Sequence, residues 1–193
     1  MKELEITGEF IIPNKTPYET YQEHMNRYAF ASFFVQGKVV LDVACGVGYG
    51  SSYLIKRGAK TLIGGDLSKD AIKYAKTHYH EEGLSFIRLD ATNLPFPSEG
   101  FDMIASFETI EHIKEYKKFL EECRRVLKKG GVFICSTPNK KLYSPKTEKP
   151  CNPFHVREFN RKEFRDLVNE YFTEVNLYDQ LPLALKTRAK SKL

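Results

Sequence analysis

Residues 39–54, VVLDVACGVGYGSSYL, constrain the fold of this chain more than any other stretch. Val39–Val43 is apolar except for Asp42. A run that apolar suits a strand covered on both faces, as in a parallel sheet. Three glycines follow at alternate positions, Gly46, Gly48 and Gly50. Glycine permits positive φ and lets backbone approach where a Cβ would collide. A helix is expected from near Gly48 to Arg57-Gly58. Strand, glycine turn and helix together open a βα unit. In an open α/β sheet that turn lies at the carboxyl end of the strand, where ligands bind.

The rest of the chain continues the alternation. Thr16-Pro17-Tyr18-Glu19 reads as a helix start with a capping box from Thr16 to Glu19. Tyr21, Met25, Tyr28, Ala29 and Phe33 follow at helical spacing, and Gly37 ends the helix. Strands are expected at Thr61–Gly65, Ser85–Leu89, Asp102–Phe107 and Val132–Thr137, with a final candidate at Phe172–Tyr178. Ser68 caps a helix with Ala71, Ile72 and Ala75 on its buried side, stopped by Gly83. Tyr116–Leu127 buries Phe119, Leu120, Cys123, Val126 and Leu127, and Lys128-Lys129-Gly130-Gly131 stops it. Residues 138–160 form a long Pro- and Asn-containing loop, a lid or binding segment by its length. Asn160 caps the last clear helix, with Glu163 three residues on. The expected architecture is a Rossmann-like, open, mostly parallel α/β sheet with helices on both faces and an abbreviated C-terminal hairpin. One domain spans 1–193: an N-terminal segment and helix to 37, a core over 38–180 and a basic tail over 181–193.

Composition narrows the function. The 193 residues are 41% hydrophobic, enough for one domain with a real core. No apolar run approaches the length of a membrane span, and MKELEITGEF is too charged for a signal peptide. A cytoplasmic protein is expected. Four of the five net positive charges come from Lys186, Arg188, Lys190 and Lys192, which leaves +1 on residues 1–185. The charge belongs to a tail, so no nucleic-acid partner is expected. The cysteines, Cys45, Cys123, Cys135 and Cys151, lack C-x-x-C spacing, and the five histidines are scattered. Reduced thiols in or near the core are expected, and no metal site.

Two further acids fall in register with the glycine turn. Asp66 closes the second strand, twenty residues beyond Gly46, where a carboxylate accepts from both hydroxyls of a ribose. Asp90 closes the third and lies within reach of an exocyclic amine of adenine. Asp42 sits inside the first strand. A buried acid is costly without hydrogen bonds, so it is expected to tie down N–H groups of the turn.

Val40–Gly50 resembles motif I of the class I S-adenosylmethionine-dependent methyltransferases. Gly65-Asp66-Leu67-Ser68 resembles their ribose motif, and Asp90-Ala91 with Leu94-Pro95-Phe96 their adenine motif. Phe101-Asp102 to Glu111-His112 and Arg125–Gly131 resemble later motifs. The likeness covers roughly residues 24–178. Within the class it points to the methyltransferase type 11 group, which includes enzymes of quinone biosynthesis and of sugar and glycan modification. The resemblance implies S-adenosyl-L-methionine as cofactor and S-adenosyl-L-homocysteine as product. Asp42, Ala44, Gly46 and Gly48 would shape the methionine end of the pocket. Asp66 would hold the ribose and Leu67 would pack on the adenine, with Asp90 and Ala91 at its edge. Phe107 would offer its carbonyl to the amino group. Arg27 and Tyr28 match an Arg-Tyr segment ahead of motif I, which places Arg27 against the cofactor carboxylate.

Methyl transfer is an in-line displacement, for which positioning supplies much of the acceleration. A hydroxyl acceptor also benefits from a general base. His112, just past the fourth strand, and His155, in Asn152-Pro153-Phe154-His155, are the two candidates. The chain lacks the N/D-P-P-Y tetrapeptide of exocyclic-amine enzymes and shows no carboxylate cluster of the metal-dependent catechol type. The expected acceptor is an oxygen of a small molecule or saccharide. Two rival readings remain. A nicotinamide dinucleotide fingerprint wants glycine at position 51, which is Ser51, and has no use for Asp42 or Asp90. A non-catalytic cofactor- or partner-binding module needs no catalytic residue at all.

Overall fold

The computed structural model describes residues 10–147 and 149–180. Five strands form one parallel sheet: β1 (Val39–Val43), β2 (Thr61–Asp66), β3 (Leu84–Arg88), β4 (Phe101–Phe107) and β5 (Leu127–Ser136). Their order across the sheet is β3-β2-β1-β4-β5. The chain builds outward from β1 in one direction, then returns to its other side. The switch point therefore lies between β1 and β4, and the carboxyl ends of all five strands open on one edge. The helices are α1 (Tyr18–Ala31), α2 (Tyr49–Lys56), α3 (Lys69–His78), α4 (Tyr116–Val126), the short α5 (Lys140–Tyr143) and α6 (Arg161–Asn169).

Side-chain alternation in β1 divides the core. Val40 packs on one face with Tyr28 and Ala31 of α1 and Leu54 of α2. Leu41 and Val43 pack on the other with Phe119, Leu120, Cys123 and Val126 of α4. Each fully buried side chain of this size contributes about 1.5–3 kcal/mol. Asp42 shares the α1–α2 face with Val40 and so meets the hydroxyls of Tyr28 and Ser51. Among the described residues no helix is long and apolar enough to cross a membrane.

Several local expectations need correction. Thr16 does not cap α1, because its Oγ1 turns back to accept from the Ile12 N–H at 2.9 Å, and Pro17 occupies the cap position without a side-chain bond. The helix ends at Ala31, and a tight 3-10 turn over Ser32–Phe34 rotates Phe33 outward to 83% exposure while Val35 is buried. Helix α3 stops at His78 rather than Gly83. Lys128–Gly131 belongs to β5 instead of ending α4: Leu127 already pairs with Phe101, and an irregularity separates that pair from Met103↔Val132. Cys45 and Cys123 are buried free thiols, whereas Cys151 is exposed.

Residues 172–178 do not form a strand. Phe172 stacks on Phe133 at 5.0 Å on the α4 side, while Tyr178 meets Phe30 of α1 at 5.2 Å. The segment crosses the sheet edge from one face to the other, so it cannot run along β5 and pair with it. A short last strand of the expected C-terminal hairpin, around Leu183–Thr187 by sequence, lies outside the described residues, as does the basic tail.

Candidate functional site

The glycine turn is shaped by backbone and held by one carboxylate. Ala44, Gly46 and Gly48 have φ of 59°, 55° and 88°. A Cβ on Gly48 would also come within 2.7 Å of Phe86 and 2.8 Å of Ala75, so this position needs glycine on two grounds. Asp66 Oδ2 accepts from the Gly46 N–H at 2.9 Å, and Oδ1 accepts from Ser68 N–H at 2.8 Å. The Cys45 N–H donates to Gly65 O at 3.0 Å. The acid after β2 thus ties down the turn after β1, a task expected of Asp42.

Asp42 instead braces the turn from beneath. It is fully buried, accepts from Ser51 Oγ at 2.6 Å and from Tyr28 Oη at 3.2 and 3.3 Å. Burial pushes its carboxyl up to about 7, against the pull of those two hydroxyls, and Asp66 adds to the rise. Tyr28 lies flat on Gly50, where a Cβ would sit 1.9 Å from its ring, and meets Phe107 edge-on at 4.9 Å. Its hydroxyl is directed to Asp42.

Around the strand ends, the chain offers further polar groups. Leu67, next to Asp66, is 62% exposed, and its carbonyl accepts from Arg88 Nε at 2.9 Å. Asp90 takes the N–H and hydroxyl of Thr92 on Oδ1, both at 2.8 Å, which lowers its carboxyl from the usual value. Ala91 follows it, partly buried. The Phe107 carbonyl accepts from Thr109 Oγ1 at 3.1 Å. Arg27 reaches across from α1: its Nη2 stands 3.3 Å from Glu108 Oε2, while its buried Nη1 has no hydrogen-bond partner among the described residues. Glu108 carries φ of 50°, strained for a non-glycine residue, and accepts from Ser136 Oγ at 2.5 Å. A buried guanidinium nitrogen left unsatisfied is expensive, and a carboxylate at this place would satisfy it.

The second half of the site is assembled over long sequence distance. The loop after β5 is closed at its base by the Asn139↔Phe159 bridge and by Lys140 N–H to Phe159 O at 2.9 Å. The N–H groups of Val156 and Arg157 donate to Glu111 O at 2.7 and 3.1 Å. These bonds bring His155 beside His112, ring centroids 4.9 Å apart. His112 Nδ1 lies 2.9 Å from Phe154 O. A carbonyl only accepts, so Nδ1 carries the proton. His155 Nδ1 donates to buried Glu158 Oε1 at 2.8 Å. Asn152 Oδ1 accepts from Phe154 N–H, which leaves its Nδ2 to donate to His155 Nε2 at 3.1 Å. Glu111 is fully buried. Thr137 Oγ1 donates to its Oε2 at 2.9 Å, Oε1 has no hydrogen-bond partner among the described residues, and burial with nearby Glu108 raises the carboxyl to about 8.

The ends of β1, β2 and β3, adjacent in the sheet, therefore carry the glycine turn, Asp66 and Asp90 together, with Phe107 at the end of β4. Arg27 and Tyr28 reach this edge from α1. Sequence reasoning assigned no role to Glu108, Glu111, Glu158 or Ser51. The E-x-x-E-H spacing of 108–112 and the H-x-x-E spacing of 155–158 were the available signals, since either spacing aligns side chains on one side of a tight turn.

A parallel sheet of this order, with a glycine turn after its first strand and acids closing the next two, defines a Rossmann-like methyltransferase fold. A solved S-adenosylmethionine-dependent methyltransferase from Mesorhizobium loti has the same fold at a TM-score of 0.71, 16% identity, and coverage of 88% of this chain and 90% of that one. The methyltransferase-domain family matches residues 41–135. A probable S-adenosylmethionine-dependent methyltransferase of Mycolicibacterium smegmatis is 36% identical over 89% of this chain and 66% of its own length. The phthiotriol/phenolphthiotriol dimycocerosates methyltransferase of Mycobacterium tuberculosis is 32% identical over 91% of this chain and 68% of its own. The chain belongs to the class I S-adenosylmethionine-dependent methyltransferases, in the type 11 group, whose cofactor is S-adenosylmethionine. It spans about two thirds of the length of these curated relatives.

Proposed function

We propose that this chain, as a single domain, transfers a methyl group from S-adenosyl-L-methionine to an oxygen of a small molecule or saccharide. The observation that carries the reading is the emergence of Asp66 and Asp90 from neighbouring strands, on the same edge as the glycine turn. Asp66 binds the ribose hydroxyls and Leu67 covers one face of the adenine. Asp90 reads the exocyclic amine through Oδ2, since Thr92 uses Oδ1. Arg27 Nη1 receives the carboxylate, and Phe107 O the amino group. Ala44, Gly46 and Gly48 let the backbone lie close to the chain between them, and Asp42 with Tyr28 holds that backbone in place. The bound cofactor supplies a methyl group on a positively charged sulfur. The protein's task is then to hold an acceptor oxygen in line and accept its proton.

His155 suits the role of base, because Glu158 fixes its Nδ1 proton and keeps Nε2 as the accepting edge. His112, more exposed, lies beside it and orients the acceptor. An oxygen acceptor accords with a base so placed, and small-molecule chemistry with the M. tuberculosis relative named for phthiotriol and phenolphthiotriol dimycocerosates.

Calorimetric titration with S-adenosylhomocysteine and with NAD tests the reading, followed by an acceptor screen with radiolabelled cofactor. Tight homocysteine-product binding and weak NAD binding are expected. Asp66→Ala weakens the former by about 1.5–3 kcal/mol, the scale of a charge-assisted hydrogen bond, with the fold retained. Preference for NAD, or an unchanged affinity in Asp66→Ala, ends the proposal.

A further inference from the structure

We propose that Glu111, His112 and His155 form a binding site for one divalent first-row transition cation. One ligand atom from each of the three lies within 4.8 Å of the others, close enough for small side-chain shifts to bring them onto a single ion. Glu111 is fully buried, and its Oε1 has no hydrogen-bond partner among the described residues although it lies 4.0 Å from His112 Nε2. That separation is too long for a direct hydrogen bond and a few tenths of an ångström wider than two ligands on one tetrahedral ion at about 2.0–2.2 Å stand apart, so a small inward shift of the His112 ring completes the pair.

The groups behind the three ligands follow the pattern that metal ligands require. A ligating imidazole commonly donates its other N–H to a carboxylate or a backbone carbonyl, which fixes ring and tautomer. His155 donates Nδ1–H to buried Glu158, and His112 donates Nδ1–H to Phe154 O. Both rings thus keep Nε2 as the electron-pair donor, and that of His112 faces Glu111 Oε1. The carboxylate is held in the same manner, by Thr137 on Oε2, leaving Oε1 as the ligand atom. Asn152 Nδ2 shares the Nε2 edge of His155 at 3.1 Å and gives way when the ion binds. Sequence spacing hides the site, because His155 is 43 positions from His112 and no Cys pair marks it.

Two imidazoles and one carboxylate favour Zn²⁺, Mn²⁺ or Co²⁺ over Mg²⁺, and three protein ligands leave positions open. An oxygen-bearing acceptor fits there. An acceptor hydroxyl bound to the ion releases its proton to solvent water more readily and remains on the ion as the oxyanion. That use of the ion rests on the methyl-transfer reading and replaces His155 as base, since an Nε2 that ligates the ion cannot also take the proton; the binding of the ion rests on neither.

The test is titration of the untagged, chelator-stripped full chain with Co²⁺, read by calorimetry and by visible absorption. One equivalent binds and develops ligand-field bands. Glu111→Gln and His155→Gln each weaken binding about tenfold or more, while S-adenosylhomocysteine affinity and the circular dichroism spectrum stay at the unsubstituted values. If Glu111→Gln fails to fold, His112→Gln tests the same ligand set through its more exposed ring. Absence of binding at about 1 mM Co²⁺, a concentration that detects even very weak sites, overturns the site. So does binding unchanged in the folded variants. Loss of S-adenosylhomocysteine binding in the unsubstituted chain would instead strike the functional reading and leave the cation site standing.

Discussion

At the carboxyl ends of β1, β2 and β3 the site is made mainly of backbone; past β4 and β5 it is made of side chains. In the first region a turn of positive-φ residues is pinned by two hydrogen bonds, Gly46 N–H to Asp66 and Cys45 N–H to Gly65 O. Each of these bonds spans twenty residues. In the second, Glu111, His112, His155 and Glu158 meet only because a loop more than twenty residues long is tied back onto the turn after β4. Backbone sites demand particular φ values and small residues, so they tolerate little at each position. Side-chain sites demand that distant segments dock, so their weakness lies in the docking bonds.

That contrast is breakable. The largest effect is expected at Gly50→Ala, where the new Cβ would meet Tyr28 at 1.9 Å. Overpacking of this kind costs about 3 kcal/mol in urea denaturation. Gly130→Ala, with φ of 73° and open space around it, is the control and costs about 1 kcal/mol from backbone strain alone. Equal losses would mean that Tyr28 does not press on the turn.

Next comes the pH dependence of the brace beneath the turn. Asp42 titrates at about 7 when folded, against an ordinary value of 3.8. The folded state prefers the protonated acid, so this contribution to stability is whole below about pH 4 and is lost as pH rises toward 7. Between pH 5 and 8 the loss is on the order of 2 kcal/mol. Asp42→Asn should remove its share of that slope on a Tm-versus-pH curve and leave the share of Glu111, whose carboxyl is raised to about 8; a slope unchanged by the substitution would place the titration elsewhere.

Smaller effects sharpen the other side of the comparison. Asn152→Ala removes the bonds to Phe154 N–H and His155 Nε2 and costs about 1 kcal/mol, with faster proteolysis within 138–160 as the more sensitive readout. Cleavage no faster than in the unsubstituted chain would show that the loop is held by other contacts. Asn160→Ala, which breaks the complete capping box of α6, sets the scale for an ordinary local contact at about 1 kcal/mol. Lys162→Ala, losing an exposed ion pair with Asp166, should cost least of all, below the loss in Asn160→Ala.

Legibility in the sequence follows the same division. β1 has the bounds its apolar run predicts, Ser68 caps α3, and Asn160 with Glu163 caps α6. These features are decided by neighbours a few residues away. Thr16 failed as a cap because a turn at Ile12 competed for its oxygen, and residues 172–178 failed as a strand because two aromatic contacts drew them across the sheet edge. Asp42 inside an apolar strand implies a buried acid in need of partners, and it is one. Its partners, Tyr28 and Ser51, were not legible, since strand alternation gives the face but not what covers it.

The sequence by itself determined the parallel α/β frame, the glycine turn and the two acids that close β2 and β3, because apolar periodicity and glycine's backbone freedom act over short spans. Only the tertiary structure decided that His155 stands beside His112 and that Glu111 is buried between the ends of β4 and β5. Those outcomes depend on loop closure and on which polar groups lose water together, and neither is written in the spacing of the residues concerned.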